Sequence, residues 1–289
     1  MTVDWTLGGA SALSLHAPAA AAALSEVVRF RPHDVDEGAF AAIRAATAGA
    51  LGLTALPGTR RPSQVPPPAV VAFAEQFAVD VTMVDGELRA AWAEAVGDAL
   101  FPAVQVVFVA DFVPRLRAVL EALFGPDEWW DPPPMATTDS WGVVETFMRE
   151  VARLDALGPV LTELVRLRGA RQHECRICKS RRSLAAIEAG ARAATFDAVD
   201  HYRSSDLPPS AQAALALTDA MIWTPSRLRD ADVAAVREHL TPAQAVEVAL
   251  DVTRNAANKI AVALAADAPV VATGVELFET DPDGNLVFP

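Results

Sequence analysis

The sequence predicts an all-α protein built from two tandem helical repeats, the N-terminal one degenerate. Three observations predict it. Apolar residues, Ala and Val foremost, recur at three- and four-residue intervals along most of the chain. Many of these periodic segments open with Pro or a capping residue, the start signal of a helix. The chain also matches itself at an offset near 140 residues: Leu24–Arg31 (LSEVVRFR) with Leu161–Arg168 (LTELVRLR), 65–78 with 207–220, and 100–111 with 240–251.

Taken in order, helices are expected over Ala41–Leu53, Pro68–Val81, Glu87–Leu100 and Pro102–Phe124. The stretch Gly125–Pro134 (GPDEWWDPPP) has three successive prolines, which lack the N–H a helix needs, and reads as a linker. Helices resume over Val143–Ala156, Val160–Gln172, Arg176–Ala189, Ser210–Ile222, Arg229–His239 and Pro242–Ala265. From Pro269 the tail reads as extended, with Asp281-Pro282-Asp283-Gly284 as a turn. The division expected is residues 1–125 as a cysteine-free repeat, 126–140 as a Pro-rich linker, and 141–289 as the equipped repeat.

Composition excludes several classes of function. Of 289 residues, 52% are hydrophobic, which is enough to bury a sizeable core. The formal net charge of −13 repels phosphate backbones and anionic lipid, so nucleic-acid and membrane-surface partners are not expected. No segment reads as a membrane span, and the apolar N-terminal run lacks the basic flank of a secretory signal. Two cysteines at close spacing do not make a disulfide framework, and the chain is expected in the cytoplasm.

Chemistry concentrates in Glu163–Arg182, ELVRLRGARQHECRICKSRR. It holds both cysteines, Cys175 and Cys178, in a Cys-x-x-Cys spacing, with Glu163 upstream and Arg182 downstream. On a helix starting near Cys175, the side chains of Cys175, Cys178 and Arg182 share one stripe. The positive end of such a helix, aided by Arg182, lowers a thiol pKa, and thiols one turn apart can close a disulfide. Glu163, on the preceding helix, is the candidate base for a thiol proton. Other readings stay open: small buried hydrophobes, a solvated arginine face, or a zinc site in which His173 and His201 join the thiols. His16, His33 and His239 are read as structural.

At these residues the chain resembles the alkylhydroperoxidase D / carboxymuconolactone decarboxylase superfamily. The motif is Glu163 followed by Cys175-x-x-Cys178, and the following SLAAIEAGARAATFDAVDHYRSSDLPPSAQAALALTDAM and VEVALDVTRNAANKIAVAL also look like the family. The resemblance implies an AhpD-like all-helical fold, commonly oligomeric, in which Cys178 attacks a peroxide, Cys175 resolves it and Glu163 relays the proton. The family's peroxidase members carry His where this chain has Arg182, and a guanidinium cannot pass a proton. The function expected is a thiol-dependent antioxidant oxidoreductase with no cofactor and no metal. Its partners would be a small-molecule substrate, a thiol or dithiol electron donor, and a second copy of the chain as a dimer. The alternatives are a non-catalytic scaffold and an enzyme of the decarboxylase branch acting on cyclic organic acids. Aligned on the repeat, Glu163 falls opposite Glu26, while Cys175, Cys178 and Arg182 fall opposite Gly38, Ala41 and Ala45, so the first repeat lacks the thiols.

Overall fold

In a computed structural model of the chain, residues 4–57 and 66–289 are described; Met1–Val3 and Val65, which opens one of the matched blocks, lie outside them. The protein is mainly helical, as expected, with five short strands added among the described residues. At the centre lies the helix Leu100–Phe124, buried along most of its length from Ala103 to Phe124. The stretch Gly86–Phe124 is long and apolar enough to cross a membrane, contrary to the expectation from sequence, and 67% of its apolar window is buried inside the protein. Its hydrophobicity is that of a core helix packed on all sides.

The other helices wrap this one. Glu37–Leu51 and Gly9–His16 pack on its N-terminal-half side, and Pro242–Asn255 crosses it from the C-terminal half. One apolar core runs continuously from Ala12 through Phe112 and Val144 to Ala263, so both halves contribute to it. A smaller cluster, including Leu167, Phe196, Val199 and Leu215, lies under the C-terminal half. A buried ionic group joins the halves. Asp111 binds Arg115 Nε at 2.7 Å and Lys259 Nζ at 2.7 Å. Arg115 also donates to the carbonyls of Met221 (3.0 Å), Ile222 (2.5 Å) and Ala78 (2.6 Å).

Helix starts follow their caps. Asp36 caps Glu37–Leu51 by accepting from Ala39 N, and Thr241 with Gln244 forms a reciprocal capping box on Pro242–Asn255. Sequence periodicity misses the helices Gly9–His16 and Pro18–Arg29. It also merges two elements, since the helix expected over Pro242–Ala265 breaks at Ala256–Ala257 and restarts as Asn258–Ala263. Gly125–Pro134 is irregular, as its prolines require.

The strands of the described residues form two small sheets. Phe30–Pro32 runs parallel to Met135–Thr137, and Arg181–Ser183 runs parallel to Glu276–Thr280, which Leu286–Val287 extends antiparallel. The extended tail and its turn are as expected: Gly284 N donates to Asp281 O at 2.9 Å. Met135–Thr137, inside the segment expected to be only a linker, is anchored to the N-terminal half.

Candidate functional site

The helix Pro159–Gln172 carries Glu163 and ends at His173. Glu174 then adopts a left-handed conformation (φ 51°), which turns the chain and places Cys175 as the cap of a four-residue helix, Arg176–Lys179. Such a φ is uncommon for a residue with a Cβ, so the turn stores local strain. Cys175 and Cys178 are joined by a disulfide with a Cα–Cα distance of 5.3 Å, in the ordinary range. Cys175 is fully buried and Cys178 is 4% exposed. They pack against Ala170, Ile177 and Val262.

The continuous helix expected over Arg176–Ala189 is not formed. It breaks into Arg176–Lys179, the strand Arg181–Ser183 and the helix Leu184–Glu188. Pairing of Arg181–Ser183 with Glu276–Thr280 supplies hydrogen bonds that outweigh continued helix. Arg182 therefore leaves the stripe of the cysteines. Its guanidinium donates to the carbonyls of Lys179 (2.8 Å) and Arg181 (2.7 Å) and sits over the Phe196 ring at 5.5 Å. Burial, with Arg166 nearby, lowers its pKa from the ordinary arginine value.

The backbone N–H groups at the start of the short helix are already committed. Arg176 N donates to Asp267 Oδ2 (2.9 Å) and Ile177 N to the Asp267 carbonyl (2.9 Å). Arg176 also pairs with Asp267 through its guanidinium (2.6 Å), which lowers the Asp267 pKa through that hydrogen bond. The Cys178 N–H remains, and it donates to Cys175 Sγ at 3.3 Å. That contact sets a backbone donor against one sulfur of the disulfide.

Glu163 is buried, but neither sulfur is its hydrogen-bond partner among the described residues. Arg166 clamps both its oxygens, Nε to Oε2 at 2.6 Å and a terminal nitrogen to Oε1 at 2.8 Å. Ser183 N adds a contact of 3.3 Å to Oε1. Arg166 then reaches the carbonyls of Cys178 (3.0 Å) and Arg181 (2.8 Å). One arginine thus ties the carboxylate to the backbone on both sides of the short turn. In the sequence Arg166 is one of five arginines, with Arg168, Arg171, Arg181 and Arg182, for which a solvated face is one of the open readings. The signal that finds it is the i,i+3 spacing from Glu163 on one helix.

His173 and His201 do not gather at the thiols. Among the described residues no group of three or more His, Cys, Asp or Glu side chains forms a metal cluster. His173 is buried edge-on to Phe112 at 6.0 Å, and burial with Lys259 and Arg115 nearby holds its pKa well below the usual value.

No family model and no solved structure matches the chain. The chain is 42% identical over 256 residues to the uncharacterized protein Rv2313c of Mycobacterium tuberculosis strain H37Rv, covering 85% of this chain and 90% of that protein. The uncharacterized protein MT2376 of strain CDC 1551 / Oshkosh gives the same figures.

Proposed function

The chain belongs to the family of the mycobacterial Rv2313c protein, and for it we propose a thiol–disulfide oxidoreductase function, with peroxide as the oxidant. The observation that carries the reading is the Cys175–Cys178 disulfide set between the Arg166 clamp and the Asp267 cap. In the reduced protein the thiolate of Cys178, the less buried of the two cysteines, attacks one peroxide oxygen. The O–O bond breaks, an alcohol leaves and Cys178 becomes a sulfenic acid. Cys175 then attacks that sulfur, the S–S bond forms and water departs. Each turnover oxidises two thiols and reduces one peroxide to an alcohol and water. A thiol donor attacks Cys178 and Cys175 leaves as a thiolate; a second donor thiol then attacks the donor sulfur of the mixed disulfide, releasing Cys178 and an oxidised donor disulfide.

Proton transfer differs from the scheme the superfamily resemblance implies. Glu163 is held by Arg166, and position 182 offers a guanidinium in place of an imidazole. The departing alkoxide therefore takes its proton from solvent, and peroxide turnover is slow. Cys178→Ser is expected to abolish peroxide consumption with a dithiol donor. Consumption unchanged in that variant removes the assignment.

Burial of both sulfurs favours one second reading, a structural disulfide in a non-catalytic binding protein. It calls for thiols of ordinary pKa that alkylate slowly between about pH 6 and pH 9 once reduced. Fast alkylation at the acid end rules it out.

The tandem AhpD-like repeat is supported by one pairing: Glu26 pairs with Arg29 at 3.2 Å as Glu163 pairs with Arg166, at the same offset of the repeat. The proposed setting is the cytoplasm, with a small-molecule peroxide, a thiol donor and a second copy of the chain as partners.

A further inference from the structure

A cavity of about 790 Å³ opens where the C-terminal tail meets the helices Ser140–Ala152 and Pro242–Asn255. Its size is that of a small-molecule site. Apolar side chains dominate the wall, with Met148 inside and Phe101 and Trp141 at the lip. Phe101 is 45% and Trp141 37% exposed, and their rings lie 5.5 Å apart. Exposed aromatic pairs of this kind mark recognition surfaces more often than bare solvent contact.

Two hydrogen-bond donors on this wall have no acceptor. Arg254 makes no hydrogen bond or ion pair of its side chain among the described residues, and the Asn255 side-chain nitrogen is buried without a partner. A third donor, Arg149, lines the same cavity and pairs with Glu145 at 3.1 Å. The carboxylate that acts on Arg254 is that of the buried Asp251, whose Oδ2 has no hydrogen-bond partner. Burial raises the Asp251 pKa to about 8, so at neutral pH it carries its proton and leaves Arg254 uncompensated. The C-terminal end of the Pro242–Asn255 helix opposes an anion, so the guanidinium has to outweigh it. A carboxylate does this well, because it takes two parallel N–H bonds from Arg and a third from the amide.

We propose that this cavity binds a small organic carboxylate, with Arg254 and Asn255 holding the carboxylate and Phe101, Trp141 and Met148 enclosing an aromatic or branched apolar body. The wall carries Arg149 and Arg254 against one carboxylate, Glu145, which Arg149 pairs, so Arg254 leaves it net positive within a chain of net charge −13 and selects for a single anionic group on an otherwise apolar molecule. It does not depend on the disulfide chemistry.

The test is calorimetric titration of the full chain with 4-phenylbutyrate and with its neutral amide at low salt. The acid is expected to bind one-to-one, with the amide about tenfold weaker or worse. Arg254→Gln is expected to bring acid and amide to equal, weak affinity, and Trp141→Ala to weaken both. Saturation absent up to about 10 mM acid, or equal binding of acid and amide by the unaltered chain, overturns the proposal. So does full acid affinity in Arg254→Gln. Should Arg254→Gln fail to fold, Arg149→Gln and Trp141→Ala sit on an exposed helix face, and unchanged affinity in both also overturns it.

Discussion

Arg166 has three roles, all carried by one guanidinium. It neutralises buried Glu163, and it fixes the carbonyls of Cys178 and Arg181. Removing one partner of a buried ion pair leaves the other charge uncompensated, so Arg166→Gln is expected to cost about 3–5 kcal/mol in urea unfolding. Adding Glu163→Gln should return part of that loss, because the orphaned charge goes with it. Additive losses in the double variant would refute the coupling. Asp251 acts through pH. Its folded pKa, about 8, stands above its ordinary value of 3.8, so the folded protein holds a proton the unfolded chain has released. That contribution is full at acid pH and declines as pH rises from about 4 to about 8. Asp251→Asn is expected to shrink the fall in unfolding free energy between about pH 5 and pH 8, and parallel profiles in the two proteins would contradict it.

Short elements around the site are held by tertiary partners rather than by their own propensity. Four residues cannot sustain a helix alone, and Arg176–Lys179 persists because Asp267 takes its first N–H groups. The tail is pinned in a comparable way. Gly284 has a φ of +82°, and a Cβ there would lie 2.5 Å from the Arg149 carbonyl oxygen. Gly284→Ala is expected to lose about 1–3 kcal/mol and to expose the tail to proteolysis after Phe278. A variant as stable and as resistant as the parent would show that the turn moves freely. The same turn forms part of the cavity wall, so carboxylate binding should weaken with it.

Across the whole molecule, the apolar core passes from one half to the other without a gap, and the buried Asp111–Arg115–Lys259 group crosses the same boundary. Burial pulls the Lys259 pKa down to about 8, and Asp111 opposes that fall. Halves that share a core unfold together. Calorimetry is expected to show one cooperative transition, and two resolved transitions would mean that each half carries an independent core.

Sequence alone determined the helical class, most helix positions, the irregular proline segment and the concentration of chemistry at Glu163–Arg182. These follow from local periodicity, capping and spacing, which are properties of neighbours along the chain. It also located the Asp281–Gly284 turn, because proline and glycine restrict the backbone by themselves. Tertiary structure decided the rest of the site. Arg182 leaves the cysteine stripe because a strand more than ninety residues away pairs with its segment. Arg166 takes the place at Glu163 that was expected for a thiol proton, because burial of one charge demands the nearest opposite one. The cavity around Arg254 has no sequence signal either. It is assembled from helices and tail that only the folded chain brings together.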